Sequence, residues 1–120
     1  MKENVLKKKS FDFALRVVTL FKYLQGEKKE FTMSKQLLRA GTAVGAMIRE
    51  AEFAESKSDF VHKMAIAQKE NNEALYWLEL LNASDYLTIR EFESINKDAV
   101  EVIKLITSSI KTAKSKPINH

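Results

Sequence analysis

The sequence predicts an all-α protein, an up-down-up-down four-helix bundle formed by one domain over residues 1–120. Three observations lead there. Helix breakers are scarce, with three Gly and one Pro in the whole chain, and Pro117 lies in the tail. Apolar residues recur at helical spacing in four stretches separated by short polar turns. The length of 120 residues suits one core, burying roughly two-thirds of the surface an unfolded chain exposes. The composition, 45% hydrophobic and 30% charged, is that of an ordinary soluble globular domain. No apolar run approaches the ~18 residues that would span a membrane. The start, MKENVLKKKSFDF, has no apolar core of a secretion signal. The absence of cysteine excludes disulfides and thiolate chemistry and permits a reducing compartment, and the expected location is the cytoplasm.

The four elements follow from their boundaries. Helix 1 is expected over residues 11–25, with Ser10 as N-cap and Gly26 as C-cap. Helix 2 is expected over 33–54, capped by Thr32. Gly41 and Gly45 lie four apart inside it, each costing up to ~1 kcal/mol against Ala, a spacing that predicts a close helix–helix approach. Ser56 and Ser58 open helix 3, expected over 58–83, and Ser84, Asp85 and Tyr86 form the next turn. Thr88 and Glu91 make a capping box for helix 4, expected over 89–114. Its core stripe is Phe92, Ile95, Ala99, Val102, Ile103, Ile106 and Ile110. The residues beyond read as a frayed tail.

Two helices carry more apolar surface than one core requires. On a helical wheel the apolar residues of helix 1 cover roughly 220°, about twice a core-facing stripe. Helix 3 has a main stripe of Phe60, Met64, Ala67, Leu78 and Leu81, and a second seam of Ile66, Trp77 and Leu80. A second seam left in water is an aggregation hazard, so it is expected to meet another subunit. Phe13, Val17, Leu20 and Leu24 of helix 1, with Ile66, Trp77 and Leu80, are the expected homo-oligomer interface.

Charged residues among the apolar ones suggest a structural ion pair. With the turn near residue 55, Arg39 on helix 2 falls opposite Glu70 and Glu73, which share one face of helix 3. Asp59 and His62 have the carboxylate-x-x-His spacing of di-iron bundles, but such a site needs that motif on two helices. The only other histidine is His120, in the tail. No metal site, cofactor site or catalytic residue is therefore assigned. No Ser-His-Asp set and no phosphate-binding Gly loop stands out, and the expectation is a protein that is not an enzyme.

The net charge of +4 hides a polarity. Residues 70–101 hold eight acids and two bases, a net of −6, while residues 1–24 and 102–120 each carry +4. In an up-down-up-down bundle the N-terminus, the helix 2–3 turn and the C-terminus share one end. Lys7, Lys8, Lys9, Arg49, Lys57, Lys63, Lys111, Lys114 and Lys116 are expected to gather there as a basic pole that attracts phosphate backbones. The aromatic residues that stacking on single strands requires are absent from the pole except for Phe11 and Phe13.

One stretch also resembles a known family. Gln36, Arg39 and Ala40, the small-residue run from Ala43 to Glu50, Ser56 with Asp59 and Phe60, Ala67 with Lys69 and Glu70, and Trp77-Leu78 follow the pattern of the bacterial four helix bundle proteins related to the ribosomal RNA intervening-sequence proteins. The resemblance extends more weakly from Phe11 to about Ile110. Two positions depart from it: Ala43 stands where Ser is expected, and Met47 where Asn is expected. The resemblance implies a bundle that assembles into a homopentameric ring, with relatives encoded in ribosomal RNA insertions or serving reverse transcriptases as RNA-binding accessory proteins. The combined expectation is a non-enzymatic, cytoplasmic oligomer associated with RNA through its basic pole. The alternative is a scaffold for another protein, with no nucleic-acid role. Neither reading involves a membrane.

Overall fold

The structure, a computed structural model, describes the backbone of residues 2–116 and the side chains of residues 5–116. Pro117 and His120 lie outside the described residues. The elements are α1 (Lys2–Gly26), α2 (Met33–Glu52), α3 (Lys57–Ala83) and α4 (Ile89–Ser115). No strand occurs among the described residues. Consecutive helices pack side by side and α4 returns to α1, closing a rod of 56 × 21 × 20 Å. The α2–α3 seam is the most extensive and the α1–α4 seam the least.

The core follows a strict rhythm. Leu6, Ser10, Phe13, Val17 and Leu24 are buried on α1; Met64, Ala67, Asn71, Ala74, Leu78 and Leu81 on α3; Ile95, Ala99, Val102, Ile106 and Ser109 on α4. Steps of three and four residues keep one stripe per helix facing the axis. Asn71 breaks the chemistry of its stripe. It is fully buried, and neither end of its carboxamide has a hydrogen-bond partner among the described residues.

Helix α1 begins nine residues earlier than the sequence suggested, which removes Ser10 as an N-cap. Ser10 is buried inside the helix, and its hydroxyl donates to Lys7 O at 3.0 Å. The three lysines before it do not prevent helix formation, because Leu6 supplies the apolar anchor one turn below Ser10 and is itself buried.

The α1–α2 connection is also built differently. Gly26 does not adopt positive φ; the left-handed residue is Lys29, at φ 56°. Thr32 makes no side-chain cap. Glu30 takes that role: its carboxylate accepts from the backbone N–H of Thr32 at 3.1 Å, Met33 at 2.9 Å and Ser34 at 2.7 Å. A buried carboxylate on the first N–H groups of a helix satisfies donors that otherwise have no partner and sits at the positive end of the dipole. The other two starts match expectation. Ser56 Oγ accepts from Asp59 N, and Thr88 and Glu91 form a complete capping box.

Gly41 marks a true close approach: a Cβ there would lie 2.8 and 2.9 Å from the two methyls of Val17. Gly45 is looser, its nearest neighbours at 3.6 Å.

The interface assigned from the sequence needs correction. Phe13, Val17 and Leu24 are fully buried within their own bundle, so they are unavailable to a second subunit. Wheel geometry alone defines the width of an apolar arc and not its centre; packing against both α2 and α4 turns this side of α1 inward. The outward apolar residues of α1 are Val5, Phe11 and Leu15. Leu20, Ile66, Trp77 and Leu80 are partly buried.

Candidate nucleic-acid interface

The N-terminus of α1, the α2–α3 turn and the C-terminus of α4 lie at one end of the rod, as the topology requires. The cations assigned to that end divide by what they touch. Lys7 pairs with Glu52 at 3.2 Å, Lys8 with Asp12 at 2.8 Å and Lys9 with Glu101 at 3.2 Å. Lys63 lies 3.7 Å from both Glu50 and Asp59. These four lysines already face carboxylates, so a phosphate competes with a neighbouring acid for each of them, weakly where the pair is exposed. The acids involved sit one helical turn away or on the neighbouring helix, where a tally along the chain does not pair them.

The remaining five cations have no carboxylate partner among the described residues. Lys57 Nζ donates to the carbonyl of Lys116 at 2.8 Å, tying the start of α3 to the end of α4. Lys111, Lys114 and Lys116 are exposed. Ser56, Lys57, Ser58, Val61 and Lys114 line a hollow of about 550 Å³ between α3 and α4. On the opposite corner of the same end, Arg49 lies over the ring of Phe11, 5.6 Å from its centroid. Of the two aromatics noted for the pole, Phe13 is buried and Phe11 half exposed. Sequence reasoning missed a third: Phe53, at the end of α2, is 87% exposed.

Comparison with protein-family models matches residues 2–108 to the 23S rRNA-intervening sequence protein family. The chain belongs to that family. A crystal structure of a protein with unknown function from the S23 ribosomal protein family of Bacteroides thetaiotaomicron is similar to it throughout. The two share 57% identity over 92% of this chain and 99% of that one, with a TM-score of 0.91. A comparison with curated proteins found no match.

In this intervening-sequence family member, three residues of the family pattern, Arg39, Glu70 and Trp77, join Glu73 in a second polar cluster on the α2–α3 seam. Arg39 Nη1 donates to Glu70 at 3.2 Å and Nη2 to Glu73. The Trp77 indole N–H donates to the same Glu73 oxygen at 2.9 Å. Those two donors, the indole first and Arg39 second, hold the Glu73 carboxyl below its usual range, and the two carboxylates raise Arg39 further. The Arg39 side chain is 49% exposed, so the cluster is wet and acts as a surface staple. A comparable staple, not foreseen, joins α1 to α4: Arg16 Nη1 reaches Asp98 at 2.7 Å and Ser94 O at 3.1 Å, and Nη2 meets Ser94 Oγ at 3.0 Å.

Beside that staple, a groove of about 610 Å³ separates α1 from α4, with Leu15, Leu20, Tyr23 and Leu87 on its apolar side and Arg90 at its edge. His62 is exposed, and its neighbour Asp59 is engaged with Lys63. Among the described residues, no three of His, Cys, Asp and Glu are grouped to hold a metal ion. No helix of the described residues is long and apolar enough to cross a membrane.

Proposed function

We propose that this family member is a non-catalytic cytoplasmic protein that associates with RNA through its basic end and works as a homo-oligomer, a pentamer by resemblance. The observation that carries the RNA reading is the set of lysines without carboxylate partners, Lys57, Lys111, Lys114 and Lys116, gathered where α3 starts and α4 ends. Such exposed cations attract any phosphate backbone and release its counterions on contact. The family description, which names 23S ribosomal RNA, supports the same reading.

Oligomerisation is supported by the sparse α1–α4 seam, its groove, and Leu15 and Ile89 exposed on α1 and α4. A second copy seated there would cover apolar surface that one bundle leaves open. The same groove favours the other reading, a scaffold for a different protein.

RNA retention measured at ~50 and ~200 mM salt tests the proposal, with a steep loss of affinity expected across that range. Lys111→Gln, Lys114→Gln and Lys116→Gln combined should weaken binding strongly and leave the melting temperature unchanged. Lys7→Gln, Lys8→Gln and Lys9→Gln combined should weaken it less, because those side chains are already paired. Absence of RNA retention at low salt refutes the RNA reading and leaves the scaffold. A monomer mass by sedimentation at micromolar concentration refutes the oligomer.

A further inference from the structure

We propose that the basic end engages single-stranded nucleic acid in preference to duplex, with bases stacking on Phe53 and on the Arg49–Phe11 pair. The proposal rests on the RNA reading above and specifies which form of the nucleic acid is recognised.

Three features of one corner lead to it. Phe53 is the most exposed of the large hydrophobic side chains, at 87%, yet its backbone is anchored, with its N–H donating to Glu50 O at 3.0 Å. Arg49, one helical turn earlier, is exposed with its guanidinium 5.6 Å from the centroid of the half-exposed Phe11 ring. A guanidinium held over an aromatic ring presents two flat groups of the kind on which unpaired bases settle. Two lysines lie near these rings along the chain. Lys7 precedes Phe11 by one turn, and Lys57 follows Phe53 by four residues and is anchored to the end of α4.

Charge alone does not explain this corner. Glu52 is tied to Lys7 and Glu55 is exposed in the same turn, so the electrostatic pull on a phosphate is weaker here than at Lys111 and Lys114. Stacking carries no such penalty. A duplex keeps its bases inside and offers this corner only phosphates, whereas a single strand offers both phosphates and base faces. The lysines of α4 therefore attract both forms, and the aromatic corner adds affinity for one.

The test uses the full chain at ~50 mM salt with a labelled oligouridylate and an RNA duplex, both of ~20 nucleotides, measured by anisotropy. The expected result is single-strand binding about tenfold tighter than duplex binding, with Phe53→Leu losing on the order of tenfold for the single strand and under ~2-fold for the duplex. Phe53→Trp should keep the preference, and the emission it adds to that of Trp77 in the parent should be quenched by oligouridylate and not by duplex. Binding of neither probe removes the RNA reading and this inference with it. Equal binding of both probes, unchanged in Phe53→Leu, leaves the RNA reading standing and overturns stacking. A Phe53→Leu protein that binds both probes as the parent does but sediments as a smaller species assigns Phe53 to a subunit contact and also overturns it.

Discussion

Gly41 and Gly45 are four residues apart on α2, and the same substitution should shift stability in opposite directions. Replacing either by Ala gains up to ~1 kcal/mol of helix propensity. At Gly45 the new Cβ meets its neighbours at 3.6 Å, ordinary contact, so that gain is kept. At Gly41 the Cβ meets Val17 Cγ2 at 2.8 Å and Cγ1 at 2.9 Å. Carbon atoms rest at ~3.5 Å or more, so several tenths of an ångström must be recovered by movement. Val17 cannot supply it by rotation, since both methyls block the site and a β-branched side chain in a helix has one favoured rotamer. Helices α1 and α2 must separate locally. Overpacking of a filled core costs ~1–3 kcal/mol, so Gly41→Ala should be destabilised by about 1 kcal/mol net after the propensity gain. At this chain length that corresponds to a melting point lower by about 4 °C. Gly45→Ala should melt a few degrees above the parent. Thermal melts at equal protein concentration decide the matter, with Val17→Ala as the partner in a double-mutant cycle. The cycle should show a favourable coupling of ~1 kcal/mol, because the smaller residue clears the space. A Gly41→Ala protein as stable as Gly45→Ala would refute the close-approach account.

Four further outcomes follow from the polar groups. Glu30→Ala removes the acceptor of three backbone N–H groups at the start of α2 and should cost ~1–2 kcal/mol in a urea titration, with Glu30→Gln in between. Arg39→Met should cost no more than ~1 kcal/mol, because the side chain is half exposed; a loss several times larger would show that the site is dry. Glu73 titrates below its ordinary value of 4.5, so its bonds add stability above that pH and lose it as pH falls through the lower folded value. The melting-point difference between the parent and Trp77→Phe should accordingly narrow below about pH 4. Asn71→Leu fills the same core position without two buried unmatched polar atoms and should raise the urea midpoint, a gain of ~1 kcal/mol; a lower midpoint would show that the carboxamide is satisfied in solution.

Much of the fold is written locally. The scarcity of Gly and Pro, the three-four spacing of apolar residues and the Ser56 and Thr88 caps are short-range signals, and they suffice for four helices with every end but the start of α1 close to that found. The Arg39 cluster is legible too, since an antiparallel pair with a known turn sets which residues stand opposite. Other features required three dimensions. Whether Lys7, Lys8 and Lys9 are a free basic arm or half of an ion-pair set depends on Glu52 and Glu101, which come near only when α2 and α4 pack on α1. Which side of α1 is core depends on two neighbours at once, so Phe13, Val17 and Leu24 turned inward while Phe11 and Leu15 remained outside. The sequence by itself determined helices, turns and the end at which charge collects, because those depend on residues a few positions apart. Only the tertiary structure decided which cations remain unpaired, that Arg49 lies over the ring of Phe11 and that Phe53 is left exposed, because pairing and exposure are properties of surfaces that distant segments build together.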